Sequence, residues 1–328
     1  MSSPFATVGI LSIGQMGLGI AQLLIAHNYN VLTNVSDRST ATHQRAESAS
    51  LRLVVSDVEL VKECDYILSI VPPRDAVATA ARVIAALTTT PAPRRGAGTP
   101  LYYLDLNAIS PSTVTAIAAS FSTQTPEAEV RFIDGGIIGG PPSPTLSSPP
   151  DSSSSASFTM PEWRKPGIPL SGPFPLHSAP TSGPHLALTL NTQHLSPRIG
   201  PASGLKCCFA ALSKGFTALA LQSFTTASSL GVLPALEQYL DEYNPGAAQR
   251  ARKGVTGCPG KAYRWVEEMR QIGLCFEEEG GWAEQARVFR EVAGVFEGLA
   301  RVVEERGGTE GLGEVDGVVD ALRDGLEK

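Results

Sequence analysis

The stretch that decides the fold is "VGILSIGQMGLGIAQLL", residues 8–24. An apolar run leads into a turn of small residues, and apolar residues at helical spacing follow that turn. This order of strand, turn and helix is typical of dinucleotide-binding turns, which read Gly-x-Gly-x-x-Gly. Here the three glycine positions hold Ser12, Gly14 and Gly17. The stretch therefore predicts a nucleotide-binding fold in which serine replaces the first glycine.

Two glycines remain at the positions with the least room for a side chain. The second glycine lets the backbone approach a pyrophosphate, and the third lets the helix pack closely on the strand. The serine is small, its hydroxyl is able to hydrogen-bond a phosphate, and amide groups at the helix start would face the anion. An ordinary turn with glycines for packing is the alternative. The predicted pyrophosphate site consists of Ser12, Ile13, Gly14, Gln15, Met16 and Gly17.

The end of the second predicted strand, "VSDRST" at residues 35–40, bears on the choice of cofactor. An acidic residue about 20 positions after the last glycine binds the ribose of NAD, whereas an arginine accommodates the 2′-phosphate of NADP. Asp37 and Arg38 both occur here. NADP is favoured, because Ser36 and Arg38 with the following hydroxyl residues form a phosphate cradle. NAD is the alternative if Asp37 points at the ribose, and a solvated turn is a further one.

Strands alternate with helical stretches as far as the run "FIDGGIIGG" at residues 132–140, which indicates a parallel sheet with crossover helices. From Leu205 onward the pattern is helical. The predicted class is therefore α/β, with an N-terminal Rossmann-type doubly wound parallel sheet and an all-α C-terminal domain. Residues 185–195 are expected to be extended. The predicted divisions are a dinucleotide-binding domain at 1–198 with a disordered Pro- and Ser-rich insertion at 141–160, a helical substrate and dimerisation domain at 199–305, and an acidic tail at 306–328.

Composition narrows the classes of partner. The chain has 328 residues, 42% of them hydrophobic, and a net charge of −6 without a strong basic block, which disfavours nucleic acid. Neither the five cysteines nor the five histidines show metal-ligand spacing. The sequence shows no signal peptide and no apolar run long enough to span a membrane, so a cytoplasmic protein is expected.

Five motifs occur in an order that resembles the β-hydroxyacid dehydrogenases, the family of 6-phosphogluconate and 3-hydroxyisobutyrate dehydrogenases. The resemblance runs from about residue 7 to about residue 300, outside the Pro- and Ser-rich insertion. It is closest to the phosphogluconate-dehydrogenase-like branch that has a distinct C-terminal helical domain. The motifs are "IGQMG" (13–17), "SIVPP" (69–73), "DLNAISP" (105–111), "FIDGGIIGG" (132–140) and "GPASGLK" (200–206).

This resemblance implies roles for individual residues. Val71 and Pro72 would lie beside the nicotinamide, and Lys206 would act as general acid in reduction and general base in oxidation. Asn107 would hydrogen-bond the substrate or the carboxamide, although a capping residue is nearly as good an interpretation. The family also implies a small-molecule substrate and, together with the long apolar helix, a homodimer. The predicted substrate-binding positions, which are otherwise simply a turn, are Gly135, Gly136 and Gly139.

The chain departs from the family pattern at polar positions. Asn107 and Ala108 replace a Ser-Thr pair, and residues 136–138 replace Pro-Val-Ser. Phe209 and Ala210 stand where the family has asparagines. A bulkier, less polar carbonyl substrate is therefore expected. The alternatives are an imine reductase, although those relatives generally lack the lysine, and a non-catalytic NADP-binding regulatory protein.

Overall fold

The protein is described here from a computed structural model. Its polypeptide forms two compact units, Met1–Lys206 and Cys207–Lys328, so the division falls later than the predicted boundary after residue 198. Each unit has its own cores of buried apolar side chains. The residues that the structure describes are 3–36, 40–89, 99–145 and 162–326.

The first unit is built on an open sheet. Its described strands are β1 (Thr7–Leu11), β2 (Asn30–Asn34), β3 (Arg52–Val54), β4 (Tyr66–Ser69), β5 (Leu101–Asp105), β6 (Val130–Gly135), β7 (Ser143–Pro144), β8 (Trp163–Arg164), β9 (Ile168–Ser171) and β10 (Thr192–Ser196). The main sheet has the order β10-β9-β6-β5-β4-β1-β2-β3. Strands β1 to β6 pair in parallel, and β9 joins β6 in the antiparallel sense. The predicted doubly wound parallel sheet is confirmed, with this antiparallel pairing added at one side.

Helices connect the strands and make up the second unit. The α-helices are α1 (Gln15–Ala26), α2 (Thr40–Ser48), α3 (Asp57–Glu63), α4 (Ala76–Thr89), α5 (Pro111–Gln124), α6 (Gly183–Thr189), α7 (Pro201–Ser229), α8 (Leu233–Tyr243), α9 (Pro245–Gly257), α10 (Ala262–Glu278), α11 (Val288–Glu305) and α12 (Val315–Leu326). Every residue of β4 and β5 is buried, as expected for parallel strands that helices cover on both faces.

Parallel pairing brings the predicted motifs to one edge of the sheet. Ser12 follows β1, Val71 follows β4, Asn107 follows β5 and Gly136 follows β6. The carboxyl ends of parallel strands meet at the same edge, where ligands of open α/β sheets bind. The order of motifs along the chain thus becomes a cluster in space.

Two predictions for the first unit are wrong in part. Residues 143–144 of the supposed disordered insertion pair with β8, and Pro142 packs against Gly19 of α1. Residues 146–160 of that insertion lie outside the described residues. The segment expected to be extended contains α6, which buries Leu186 and has proline in its first turn, where the missing N–H costs nothing.

The second unit corrects one further expectation. The C-terminal segment is not a peripheral tail, because α12 buries Val318, Val319 and Leu322 in the core of this unit. In the same unit Lys214 forms an ion pair with Glu268, and both side chains are largely buried.

Helix α7 is long and apolar enough, by length and composition, to cross a membrane, contrary to the expectation from sequence. One such helix among the described residues is weak evidence for a membrane span, since core helices pass the same test.

Candidate functional site

The turn after β1 shows what the serine substitution does. Ser12 has a φ of +82°, in the left-handed region that a glycine adopts without cost. A side chain in that region costs about 1–2 kcal/mol. The chain therefore keeps the geometry of the dinucleotide-binding turn and accepts strain at its first position.

The other two glycine positions fit a bound pyrophosphate. A Cβ on Gly17 would lie 2.0 Å from the carbonyl oxygen of Ser12, so no side chain is tolerated there. A Cβ on Gly14 would meet nothing closer than the Ser12 Oγ at 3.9 Å, so this position faces open space. Helix α1 begins here without a side-chain cap, which leaves its first amide groups available to an anion. A dinucleotide therefore fits the residues present, which would hold its phosphates through the backbone.

The end of β2 carries a network that the sequence did not predict. Asn34 accepts hydrogen bonds from the N–H and Oγ of Ser36, at 3.1 and 2.8 Å. Its Nδ2 donates to Asp57 at 2.7 Å, and Arg82 also donates to that carboxylate. Ser36 is therefore held in place at the end of β2, where the phosphate cradle is predicted. The predicted residues Asp37 and Arg38 lie outside the described part of the chain.

The side chain of Asn107 is hydrogen-bonded within the protein. Its side chain is buried, with 2% of the residue exposed. Its Oδ1 accepts from the Val71 N–H at 2.8 Å, and its Nδ2 donates to Ser69 Oγ at 3.0 Å. Asn107 thus holds the main chain of the segment Val71–Pro72 in place. The predicted contact of Asn107 with the substrate or the carboxamide stays a prediction beside this positioning role.

Asp105, at the end of β5, is a buried carboxyl group that the sequence did not single out. Its Oδ1 accepts from the Asn107 N–H at 3.1 Å, and its Oδ2 has no hydrogen-bond partner among the described residues. Burial raises the pKa of Asp105 to about 7; the hydrogen bonds from Asn107 lower it, and the nearby carboxylate of Asp134 raises it. This carboxyl group changes charge near neutral pH.

Lys206 lies in the second turn of α7 and is half-buried. Its Nζ donates a hydrogen bond to the carbonyl oxygen of Ile137 at 2.7 Å. The loop that follows β6 therefore holds the ammonium group at the carboxyl edge of the sheet.

The predicted substrate glycines mostly accommodate the protein itself. A Cβ on Gly136 would lie 2.8 Å from the Lys206 Cβ, so this glycine lets α7 approach the loop. A Cβ on Gly135 would lie 2.6 Å from the side chain of Leu106. Packing of the protein therefore accounts for glycine at both positions, and close approach of a ligand stays a prediction. Gly139 has a φ of +121°, so a turn requires it.

A buried carboxylate joins β6 to the start of α7. Asp134 Oδ2 accepts from the N–H groups of Gly200 and Ala202, at 2.9 and 3.1 Å, and from Ser171 Oγ at 2.7 Å. Its Oδ1 accepts from Ser203 Oγ at 2.6 Å. Asp134 lies in the motif "FIDGGIIGG", but nothing in the sequence marked it as a helix cap, because its partners at the start of α7 lie more than 60 residues away (134 against 200–203).

No group of three His, Cys, Asp or Glu side chains that could hold a metal ion occurs in the described part of the chain.

Comparisons with known proteins agree with this architecture. Residues 7–90 match the family described as "NADP oxidoreductase coenzyme F420-dependent", and residues 227–299 match "Domain of unknown function (DUF1932)". No curated protein matches the chain in sequence.

Solved structures resemble nearly the whole chain at low sequence identity. A 3-hydroxyisobutyrate dehydrogenase from Salmonella typhimurium has a TM-score of 0.62 at 14% identity, covering 96% of this chain and 99% of that one. The corresponding enzyme from Mycobacterium tuberculosis, solved with L-serine, has a TM-score of 0.56 at 14% identity, with coverages of 97% and 99%. An imine reductase from Myxococcus stipitatus, in complex with NADP+, has a TM-score of 0.50 at 15% identity, with coverages of 96% and 99%. The chain therefore has the fold of the β-hydroxyacid dehydrogenase superfamily, which its motifs resemble.

Proposed function

We propose that the chain is an NAD(P)-dependent oxidoreductase that interconverts a carbonyl and a hydroxyl compound, with NADP as the preferred cofactor. The observation that carries the proposal is the position of Lys206. Its ammonium group is held by the Ile137 carbonyl at the same sheet edge as the turn Ser12–Gly17. A proton donor and a phosphate-binding turn at one edge are what a hydride-transfer site requires.

Each element has a defined task in this reaction. A bound nicotinamide cofactor supplies or accepts the hydride. The amide groups around Gly14 would hold its phosphates, while Asn107 keeps the main chain at Val71 in place, where the nicotinamide is predicted to lie. Lys206 donates a proton to the oxygen on which negative charge develops during reduction, and its neutral amine takes up the hydroxyl proton during oxidation.

The loop after β6 supports a weakly polar substrate. Ile137 is buried and Ile138 is half-buried, at positions where the resembling family has valine and serine. The loop therefore offers a carbonyl to the lysine and no side-chain hydroxyl to the ligand. This arrangement favours a bulkier, less polar carbonyl compound.

Cofactor choice rests on the cradle predicted after β2 and on the relatives. The imine reductase from Myxococcus stipitatus was solved with NADP+, and a variant of it with NAD+. Fluorescence titrations with NADPH and NADH test the choice. Tighter binding of NADPH is expected, and clearly tighter binding of NADH would reverse the assignment to the NAD alternative.

The role of Lys206 is tested by Lys206→Ala with Lys62→Ala, an exposed lysine of α3, as the matched control. With a panel of hydroxy acids, aldehydes and ketones, Lys206→Ala is expected to lower kcat about a hundredfold or more while leaving NADPH affinity unchanged. Lys62→Ala should leave both unchanged. Equal losses of turnover and of NADPH binding would refute the general-acid role.

An imine reductase is the second candidate, favoured by the apolar loop at Ile137 and Ile138. Cyclic imines added to the same panel discriminate between the two reactions. If cyclic imines alone are reduced, and Lys206→Ala retains that activity, the carbonyl assignment is wrong. Tight NADPH binding with no turnover of any compound would instead support the non-catalytic regulatory protein.

A further inference from the structure

We infer that Asp134 is the positioning residue of Lys206. The inference rests on the proposed function of that lysine and concerns how the fold holds it. Asp134 and Ile137 lie on one strand–loop segment, while Ser203 and Lys206 lie on one turn of α7. The two segments are connected at both ends, by the carboxylate at one end and by the lysine at the other.

Within the described part of the chain, the carboxylate connection consists of five hydrogen bonds to Asp134. Asp134 is fully buried, and it accepts hydrogen bonds from three N–H groups at the start of α7 and from two serine hydroxyls. Buried charges are tolerated when hydrogen bonds and a helix N-terminus compensate them, and charge-assisted bonds are the strong ones. Ser171 adds a second connection, because its Oγ also accepts from the Ala202 N–H at 3.0 Å.

The lysine connection depends on this alignment. Ser203 precedes Lys206 by three residues, so the hydroxyl that binds Asp134 and the side chain of Lys206 lie on neighbouring positions of one helix face. Gly136 allows α7 to lie against the loop, since a Cβ there would meet the Lys206 Cβ at 2.8 Å. A small displacement of the first turn of α7 would therefore move the ammonium group away from the Ile137 carbonyl.

The test uses amine labelling of the whole protein with acetic anhydride, so it requires no known substrate. Acetylation of Lys206 is measured by mass spectrometry relative to Lys62. In Ser203→Ala, which removes one hydroxyl donor to Asp134, Lys206 labelling is expected to rise about fivefold, as for the loss of one buried hydrogen bond. Asp134→Asn is expected to give a larger rise.

The matched control is Ser56→Ala. Ser56 caps α3 by accepting from the Glu59 N–H at 3.2 Å, so its loss removes a serine helix cap far from α7 in sequence. This variant is expected to leave Lys206 labelling unchanged. NADPH affinity is expected to be unchanged in Ser203→Ala, because the turn Ser12–Gly17 keeps its own contacts.

Unchanged Lys206 labelling in a folded Ser203→Ala protein would overturn the inference. Equal increases at all lysines, or weakened NADPH binding in the same variant, would show general loosening and would also overturn it. If Asp134→Asn does not fold, Ser203→Ala still decides the question. Full turnover by Lys206→Ala would refute the proposed function while leaving the labelling result intact, so the two failures are distinguishable.

Discussion

Replacing Asp105 by asparagine is expected to remove a pH dependence of folding stability that the wild-type protein carries. The Asp105 carboxyl is buried, its Oδ2 has no hydrogen-bond partner among the described residues, and its pKa is raised from 3.8 to about 7. Burial is the largest cause, and the carboxylate of Asp134 adds to it. The asparagine variant resembles the protonated acid and cannot ionise.

The sign follows from proton uptake. Between pH 3.8 and about 7 the unfolded chain loses this proton while the folded chain keeps it. Stability then falls as pH rises, and the loss is complete above about pH 7 because both states are ionised there. A shift of one pKa unit corresponds to about 1.4 kcal/mol of unfolding free energy, so the shift of about three units lowers stability by about 4 kcal/mol in total. Roughly 3 kcal/mol of this is expected between about pH 5 and about pH 8.

Urea unfolding of the wild type and of Asp105→Asn at these two pH values measures the effect. The difference in unfolding free energy between the proteins should change by about 3 kcal/mol, in favour of the variant at the higher pH. The second unit is the same in both proteins, so its contribution cancels in the difference. Asp324→Asn, at an exposed position of α12, is the matched control and should show no such change. An identical pH dependence in the wild type and Asp105→Asn would refute the reasoning.

Two further predictions concern the turn and α7. Ser12→Gly should raise the free energy of unfolding by about 0.5–1 kcal/mol in thermal unfolding, because relief of the strained positive φ exceeds the added entropy of the unfolded chain. Ser12→Ala, which keeps a side chain at this position, should give no gain. A Ser12→Gly protein that is less stable than the wild type would contradict the claim that Ser12 is strained. The chain should be a homodimer through the apolar face of α7, where Leu212 is 81% exposed. Leu212→Glu should therefore weaken dimerisation at least about tenfold, as measured by sedimentation velocity. Leu326→Glu, at an exposed position of α12, is the control and should leave dimerisation unchanged. A monomeric wild type would contradict the second prediction.

Sequence reasoning worked where the physical cause is local. Apolar runs of strand length, small residues at Gly14 and Gly17, and helical spacing from Leu205 each report on neighbours within a few residues. These features predicted the sheet, the turn and the helical second half, and the structure confirms them. The same periodicity was available for α12, whose buried Val318 and Leu322 were outweighed by the acidic and glycine-rich composition around them.

The remaining features depend on contacts between distant parts of the chain. Asn107 was interpreted as a ligand-binding or capping residue, and the two hydrogen-bond partners of its side chain lie at the end of β4 and just after it, more than 35 residues earlier in the chain (107 against 69 and 71). Gly136 looked like room for a substrate, but the space is filled by Lys206. In each case the residue type predicted a close approach or a polar contact correctly. The partner could be identified only once the sheet had brought the strands together.

The way in which Lys206 is held makes its position independent of the side chains of the loop after β6. The Nζ of Lys206 binds a main-chain carbonyl, and the helix that carries it is fixed by Asp134 through main-chain N–H groups and two serines. Neither connection uses the side chains of Ile137 or Ile138. Substitutions in this loop can therefore change what the site accepts without changing where Lys206, the proposed proton donor, lies. Ile138→Ser should therefore change substrate preference while leaving the acetylation of Lys206 unchanged.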